Sequence, residues 1–169
     1  MNRGAQIIFF SLFIGTLSVH ANVCDHWIAK ADPRIHVTTK NVNERSPKSI
    51  LSGIGCLLRL QHRTERGVQY GNKSSTSQLV PPASVEINAL YVISALFYGN
   101  DNFASAIALT ADPPRIVGEY ETIQFNSRSV VAKAFRAYRK WYVAVKQLGI
   151  EEARKKRMDP LHGSGVKWY

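Results

Sequence analysis

The chain has 169 residues and a formal net charge of +10. Its length suits one domain with a buried core, and only one long apolar run occurs, near the N-terminus, which excludes a transmembrane segment from the rest of the chain. The basic excess is concentrated: residues 128–157 carry 10 bases and 2 acids, whereas residues 22–127 carry a net charge of only +1. One segment therefore dominates the electrostatic field of the molecule.

The N-terminal residues have the pattern of a secretory signal peptide. Arg3 precedes an apolar run over residues 7–17, and small residues lead up to Ala21. We predict cleavage after this alanine, so that residues 1–21 are removed and residues 22–169 form a single α-rich globular domain in the periplasm. The apolar run is too short to cross about 30 Å of hydrocarbon, which disfavours a membrane anchor.

Cys24 and Cys56 are the only cysteines of the chain. In an exported protein such a pair is expected to form a disulfide, which would tie the mature N-terminus to the first core helix and contribute about 3 kcal/mol through loop entropy. Two separate buried thiols are the alternative. A lipoprotein attached at Cys24 is less favoured, because Val23 stands where lipoprotein signals carry Gly or Ala.

The first half of the mature chain contains several helix signals. Residues 23–33 predict a short helix or a helical turn. The next helix begins with Ser46 as N-cap and Pro47 at the first helical position. Residues 82–98 are apolar on all sides and are followed by Gly99, a pattern that predicts a buried central helix with a glycine stop.

The second half of the chain continues the helical pattern. Residues 100–113 predict a short helix, and residues 115–126 alternate enough for a strand pair or an extended loop. Residues 128–148 predict the longest helix, since apolar residues recur at intervals of three and four, and residues 150–158 predict a last one. The fold class is therefore mostly α, with about five helices around the central helix 82–98, short extended segments and one disulfide.

No catalytic set is recognisable. The mature histidines lie at none of the spacings typical of zinc sites. The tetrapeptide at 162–165, His-Gly-Ser-Gly, lacks the Gly-x-Ser-x-Gly spacing of a hydrolase nucleophile, and we interpret it as a flexible hinge. We therefore expect no catalytic residues, no metal and no cofactor, and hence a protein that is not an enzyme. An envelope hydrolase using Glu86, Glu119 or His162 is the least favoured alternative.

The basic segment is the strongest physical signal. On the long helix three bases lie on the face opposite the apolar stripe, which is typical of a solvated helix face. The four consecutive bases that follow predict a contact with a protein partner of acidic surface, although they also suit a helix C-terminus. Export argues against nucleic acid, while binding to a membrane surface and the oligomeric state stay open. The solvated set is Lys133, Arg136 and Lys140; the predicted partner-binding set is Arg154, Lys155, Lys156 and Arg157.

Two aromatic residues end the sequence. Trp168 and Tyr169 follow the glycine-rich stretch, and frayed ends rarely carry two large aromatic side chains. We expect them to fold back as a C-terminal strap, packed beside Trp141, or to serve as recognition residues for a partner.

The stretches "PPASVEINALYVISALFYGN" and "AYRKWYVAVKQLGIEEARKKRMDPLHGSGVKWY" resemble small exported helical proteins of Gram-negative bacteria, including immunity proteins paired with type VI secretion toxins. The resemblance implies a signal peptide, one α-rich domain, often a disulfide, and inhibition by occluding a toxin's active site in the periplasm. It assigns no inhibitory residue. The alternative function is a cell-envelope factor that binds peptidoglycan or anionic lipid.

Overall fold

The computed structural model describes residues 45–67, 80–100, 103–118 and 122–169. About half of this part of the chain is helical, and it also contains two small two-stranded sheets, so the mostly α prediction is confirmed only in its coarse form. The predicted signal peptide, the predicted turn at 23–33 and Cys24 lie outside the described residues. Cleavage and the Cys24–Cys56 disulfide therefore stay predictions.

Helix α1, Pro47–Leu57, begins where its capping residues predict. The Ser46 hydroxyl accepts a hydrogen bond from the Ser49 backbone N–H at 3.2 Å, and proline occupies the first helical position, where its missing N–H costs nothing. A 3-10 turn, Leu58–Leu60, follows directly. Cys56 is buried in the last turn of α1.

Helix α2, Val85–Tyr98, is the predicted central helix. Its residues 87–97 are all buried, and it contacts both α1 and the two helices of the C-terminal half. It starts three residues later than predicted, because Ser84 and the two prolines before it are outside the helix. Gly99 ends it in the left-handed conformation, with φ of 72°, which a residue without a Cβ adopts at little cost.

Helices α3, Arg128–Leu148, and α4, Ile150–Lys155, are separated by Gly149, which has a positive φ of 87°. The bounds of α3 are those that the periodicity predicts, and its Ser127 cap accepts from the Val130 N–H at 3.4 Å. The predicted last helix is shorter than expected, because Arg157 takes a positive φ of 52° and turns the chain away. Within the described residues there are four α-helices, and the expected count of about five is wrong there.

Four short strands form two antiparallel pairs outside the helices. Strands β1, Leu109–Ala111, and β4, Val166–Trp168, pair antiparallel, and β2, Ile116–Val117, forms a hairpin with β3, Thr122–Ile123. The hairpin confirms the predicted strand pair. The predicted helix at 100–113 is wrong in its described part, which contains bends and β1 instead.

Hydrogen bonds on both sides of β1 explain why this segment forms a strand and not the predicted helix. One side joins β4, and on the other the Leu109 N–H donates to Asn126 Oδ1 while the Leu109 carbonyl accepts from the Asn126 N–H, both at 2.8 Å. A three-residue strand held on two sides satisfies its backbone polar groups without a helix, so tertiary pairing overrides the local helical preference.

Candidate functional site

A groove of about 590 Å³ runs between α3 and the segment 158–164. The α3 wall is basic, and the far wall is made by the turn that follows α4. The floor is largely apolar. The basic wall consists of Lys133, Arg136 and Lys140; the floor includes Ala137, Trp141 and Met158; the far wall includes Asp159, His162 and Ser164.

The basic wall follows from the periodicity of α3. Lys133, Arg136 and Lys140 recur at intervals of three and four, so they share one face of the helix. All three are exposed, and none forms an ion pair with any residue in the described ranges. The sequence predicts these residues to be a solvated face. The structure shows that they line a concave surface, which the sequence pattern alone cannot reveal because the opposite wall comes from residues 158–164.

The far wall is a hydrogen-bonded turn. The Trp141 indole N–H donates to the Met158 carbonyl at 3.3 Å, which ties the turn to α3. The Asp159 carboxylate accepts from the Leu161 N–H at 2.9 Å. Gly163 and Gly165 have positive φ values of 66° and 68°, so the turn depends on their lack of a Cβ.

The Ser164 hydroxyl stabilises this turn from inside. It donates to the Leu161 carbonyl at 2.6 Å and accepts from the Val166 N–H at 3.1 Å, and the Val166 carbonyl lies 3.2 Å away. A catalytic serine needs its hydroxyl bonded to a base, whereas this one bonds to backbone. The predicted flexible hinge at 162–165 is thus a defined turn, and the position of Ser164 beside His162 gives no nucleophile geometry.

The four bases at 154–157 do not form one patch. The half-buried Arg154 guanidinium donates to the carbonyls of Leu96, at 2.9 Å, and Phe97, at 2.7 Å, which are orphan acceptors at the end of α2. Burial lowers the pKa of this guanidinium, with Glu151 acting in the opposite direction. Arg154 therefore stabilises the end of α2, and its predicted contact with a partner stays a prediction.

The other three bases of this run lie on the surface. Lys155 is exposed and forms a surface ion pair with Glu152 at 3.7 Å, while Lys156 and Arg157 are also exposed. Their predicted contact with a partner stays a prediction.

The C-terminal aromatic residues pack on the body of the protein, as a strap would. The Trp168 indole N–H donates to the Tyr138 hydroxyl at 3.0 Å, and its ring meets that of Tyr91 at a centroid distance of 5.8 Å. Tyr169 packs against Phe125 at 4.8 Å. The expected contact of Trp168 with Trp141 is not among these; the Trp141 ring packs against Tyr138, at a centroid distance of 6.1 Å. Whether the two residues also contact a partner stays a prediction.

A metal site or a hydrolase site would use His, Cys, Asp or Glu side chains. No group of three or more His, Cys, Asp or Glu residues there could hold a metal ion. The Glu86 carboxylate accepts from the His62 backbone N–H at 2.8 Å and so ties α2 to the segment after α1. Glu119 lies outside the described residues.

Comparisons with protein-family models, with curated proteins and with solved structures find no match for this chain. Among the helices in the described ranges, none has the length and apolar character needed to cross a membrane. The resemblance to type VI immunity proteins therefore stays a hypothesis, and the groove is the feature from which a function is best argued.

Proposed function

We propose that this chain is an exported, non-enzymatic binding protein that docks an acidic segment of a protein partner in the groove between α3 and residues 158–164. The observation that carries the proposal is the row of three basic side chains on one wall, exposed and without ion-pair partners in the described part of the chain. Because the signal peptide predicts a periplasmic location, the partner class that fits best is a secreted toxin, and the protein would act as its inhibitor or immunity protein.

The spacing of the basic side chains and the apolar floor of the groove both suit a peptide segment. Lys133 and Lys140 are seven residues apart, which is about 10 Å along a helix, and long flexible side chains at this spacing can reach two or three carboxylates. The floor contributes apolar contact through Ala137 and Met158. Charge on the rim steers association and raises its rate, while desolvation of the floor contributes affinity.

Rigidity of the far wall supports a docking role. The turn at 158–164 is held by the Trp141 and Ser164 hydrogen bonds, so the groove exists before a partner arrives. A preformed site loses less conformational entropy on binding than a loop that must order. The predicted Cys24–Cys56 disulfide belongs to the same proposal, since it requires the oxidising periplasm.

The first experiment measures binding of acetyl-tetraglutamate amide to the mature protein by calorimetry. We expect Lys133→Gln together with Lys140→Gln to weaken binding about tenfold, at about 0.7 kcal/mol per exposed charge. The matched control is Lys48→Gln, an exposed lysine of α1 that does not line the groove, and it should change affinity less than twofold. Equal losses in the control and the double variant would refute docking in the groove.

The second experiment tests the biological role. A toxin gene adjacent to this gene is expressed in the periplasm with and without the protein, and growth is measured. Protection that is lost in the Lys133→Gln, Lys140→Gln variant but kept in Lys48→Gln supports the proposal. Binding instead to vesicles of anionic phospholipid or to peptidoglycan, sedimented at two salt concentrations, would favour the envelope-factor alternative.

A further inference from the structure

A second concavity, of about 310 Å³, lies on the other side of the turn at 158–164. It shares Asp159, His162 and Gly163 with the basic groove, so one short turn separates the two. Its remaining lining includes Asp112, Lys167 and two aliphatic residues, and it also includes three aromatic side chains. These are Tyr98 from the end of α2, Phe103 from the segment after it, and Trp168 from β4.

The three rings form a bent row. Centroids of Tyr98 and Phe103 are 5.5 Å apart with planes inclined at 39°, and those of Phe103 and Trp168 are 5.9 Å apart with planes inclined at 66°. All three residues are partly exposed. All three line the concavity, where a cation within about 6 Å of a ring centroid is attracted by the quadrupole of that ring.

The carboxylate charge in this concavity is not fully balanced. Asp112 is paired with Lys167 at 3.2 Å. Asp159 has no ion-pair partner among the described residues, and its Oδ1 accepts from the Tyr98 hydroxyl at 3.3 Å and the Leu161 N–H at 2.9 Å. These two donors orient the carboxylate, and they leave its Oδ2 without a hydrogen bond from the described part of the chain.

We propose that this aromatic pocket takes one organic cation, the ammonium or guanidinium of a lysine or arginine side chain belonging to the same partner segment whose acidic residues occupy the groove. The assignment to that segment rests on the proposed function, whereas the preference of the pocket for a cation does not. The charge of Asp159 and the ring faces act together on the cation. The turn at 158–164 thereby separates a wall that selects acids from a pocket that selects a base.

The pocket is tested first with a small probe. The indole N–H signal of Trp168 is followed by NMR in the ¹⁵N-labelled mature protein, assigned with Trp168→Phe, during titration with ethylguanidinium chloride. Ethylurea is the neutral isostere, and N-acetylglucosamine represents a neutral saccharide. We expect a saturable shift with ethylguanidinium at millimolar concentration, and none with the two neutral compounds. Equal shifts with ethylurea, or saturation by the saccharide, would overturn the proposal.

The charge of Asp159 is tested by Asp159→Asn, which keeps an oxygen acceptor for the Tyr98 hydroxyl and the Leu161 N–H. We expect at least a fivefold loss of ethylguanidinium affinity, with the Trp168 signal of the free protein nearly unmoved. The control is Lys140→Gln on the groove side, which should leave the affinity within twofold. Unchanged binding in Asp159→Asn would show that no cation is recognised here.

A set of six peptides tests the link between groove and pocket. Acetyl-tetraglutamate peptides carry one to three glycines and then either lysine or norleucine. We expect the best lysine peptide to bind at least threefold more tightly, although lysine lowers the acidic net charge, and we expect this advantage to vanish in Asp159→Asn. If ethylguanidinium binds but none of the peptides does, the proposed function fails and the cation pocket stands. If the peptides bind equally, the link is refuted and the groove stands.

Discussion

The hydroxyl of Tyr138 connects three parts of the fold, and its removal should be measurable. It bonds to the Ser94 hydroxyl of α2 and accepts from the Trp168 indole N–H of β4. Tyr138 and Ser94 are fully buried. In Tyr138→Phe the Ser94 hydroxyl loses its hydrogen-bond partner in the core. The indole N–H of the half-buried Trp168 also loses its acceptor. At about 1 kcal/mol for a net hydrogen bond and 1–3 kcal/mol for an unsatisfied buried group, we expect a loss of about 2–3 kcal/mol.

The assay is urea unfolding of the mature protein, followed by circular dichroism. Tyr142→Phe is the matched control, because its hydroxyl donates to the Leu51 carbonyl at 2.9 Å but is partly exposed, so its loss should cost about 1 kcal/mol or less.

A double-mutant cycle separates the hydrogen bond from packing. Replacing both partners, with Ser94→Ala and Tyr138→Phe together, removes the unsatisfied hydroxyl, so the double variant should be more stable than the sum of the single losses predicts, by about 1 kcal/mol. A loss below about 0.5 kcal/mol in Tyr138→Phe, or strict additivity of the two changes, would refute the network as a source of stability.

Three further predictions concern pH, the basic run and the disulfide. Burial raises the pKa values of Tyr138 and Tyr98, so the folded protein keeps protons that the unfolded chain releases above pH about 10. Stability should fall as pH rises past that value, and Tyr138 alone should contribute up to about 1.4 kcal/mol of this fall per pH unit. The fall should therefore be less steep in Tyr138→Phe, as urea midpoints will show. Arg154→Met should lower stability by about 2 kcal/mol because two carbonyls of α2 lose their donor, whereas Lys155→Met should cost less than about 0.5 kcal/mol; stability retained in Arg154→Met with partner binding lost would instead make Arg154 a contact residue. Mass spectrometry of the non-reduced periplasmic protein should find Cys24 linked to Cys56, and reduction should lower stability by about 3 kcal/mol; free thiols on the purified protein would contradict the bridge.

Local sequence signals predicted several of the helix ends. Ser46, Pro47, Gly99 and Gly149 mark helix ends through their own backbone preferences, and the structure confirms each of these boundaries. Burial of α2 on all sides also followed from its composition.

The misassigned segment at 100–113 shows where local signals fail. Leu109–Ala111 is a strand because it pairs with Val166–Trp168, more than 50 residues later, and because Asn126 holds its other side. No short-range pattern encodes a partner at that distance.

The features of the candidate site also fall into two groups, those set by local sequence and those set by tertiary contacts. The sequence by itself determined the charge of residues 128–157, the shared face of Lys133, Arg136 and Lys140, and the helical frame that carries them. Only the tertiary structure decided that the chain returns along α3 to make a groove, that Arg154 turns inward, and that Trp168 joins Tyr98 and Phe103. The physical reason is that helix faces and caps depend on neighbours within one or two turns, whereas a concave surface depends on contacts between segments far apart in sequence.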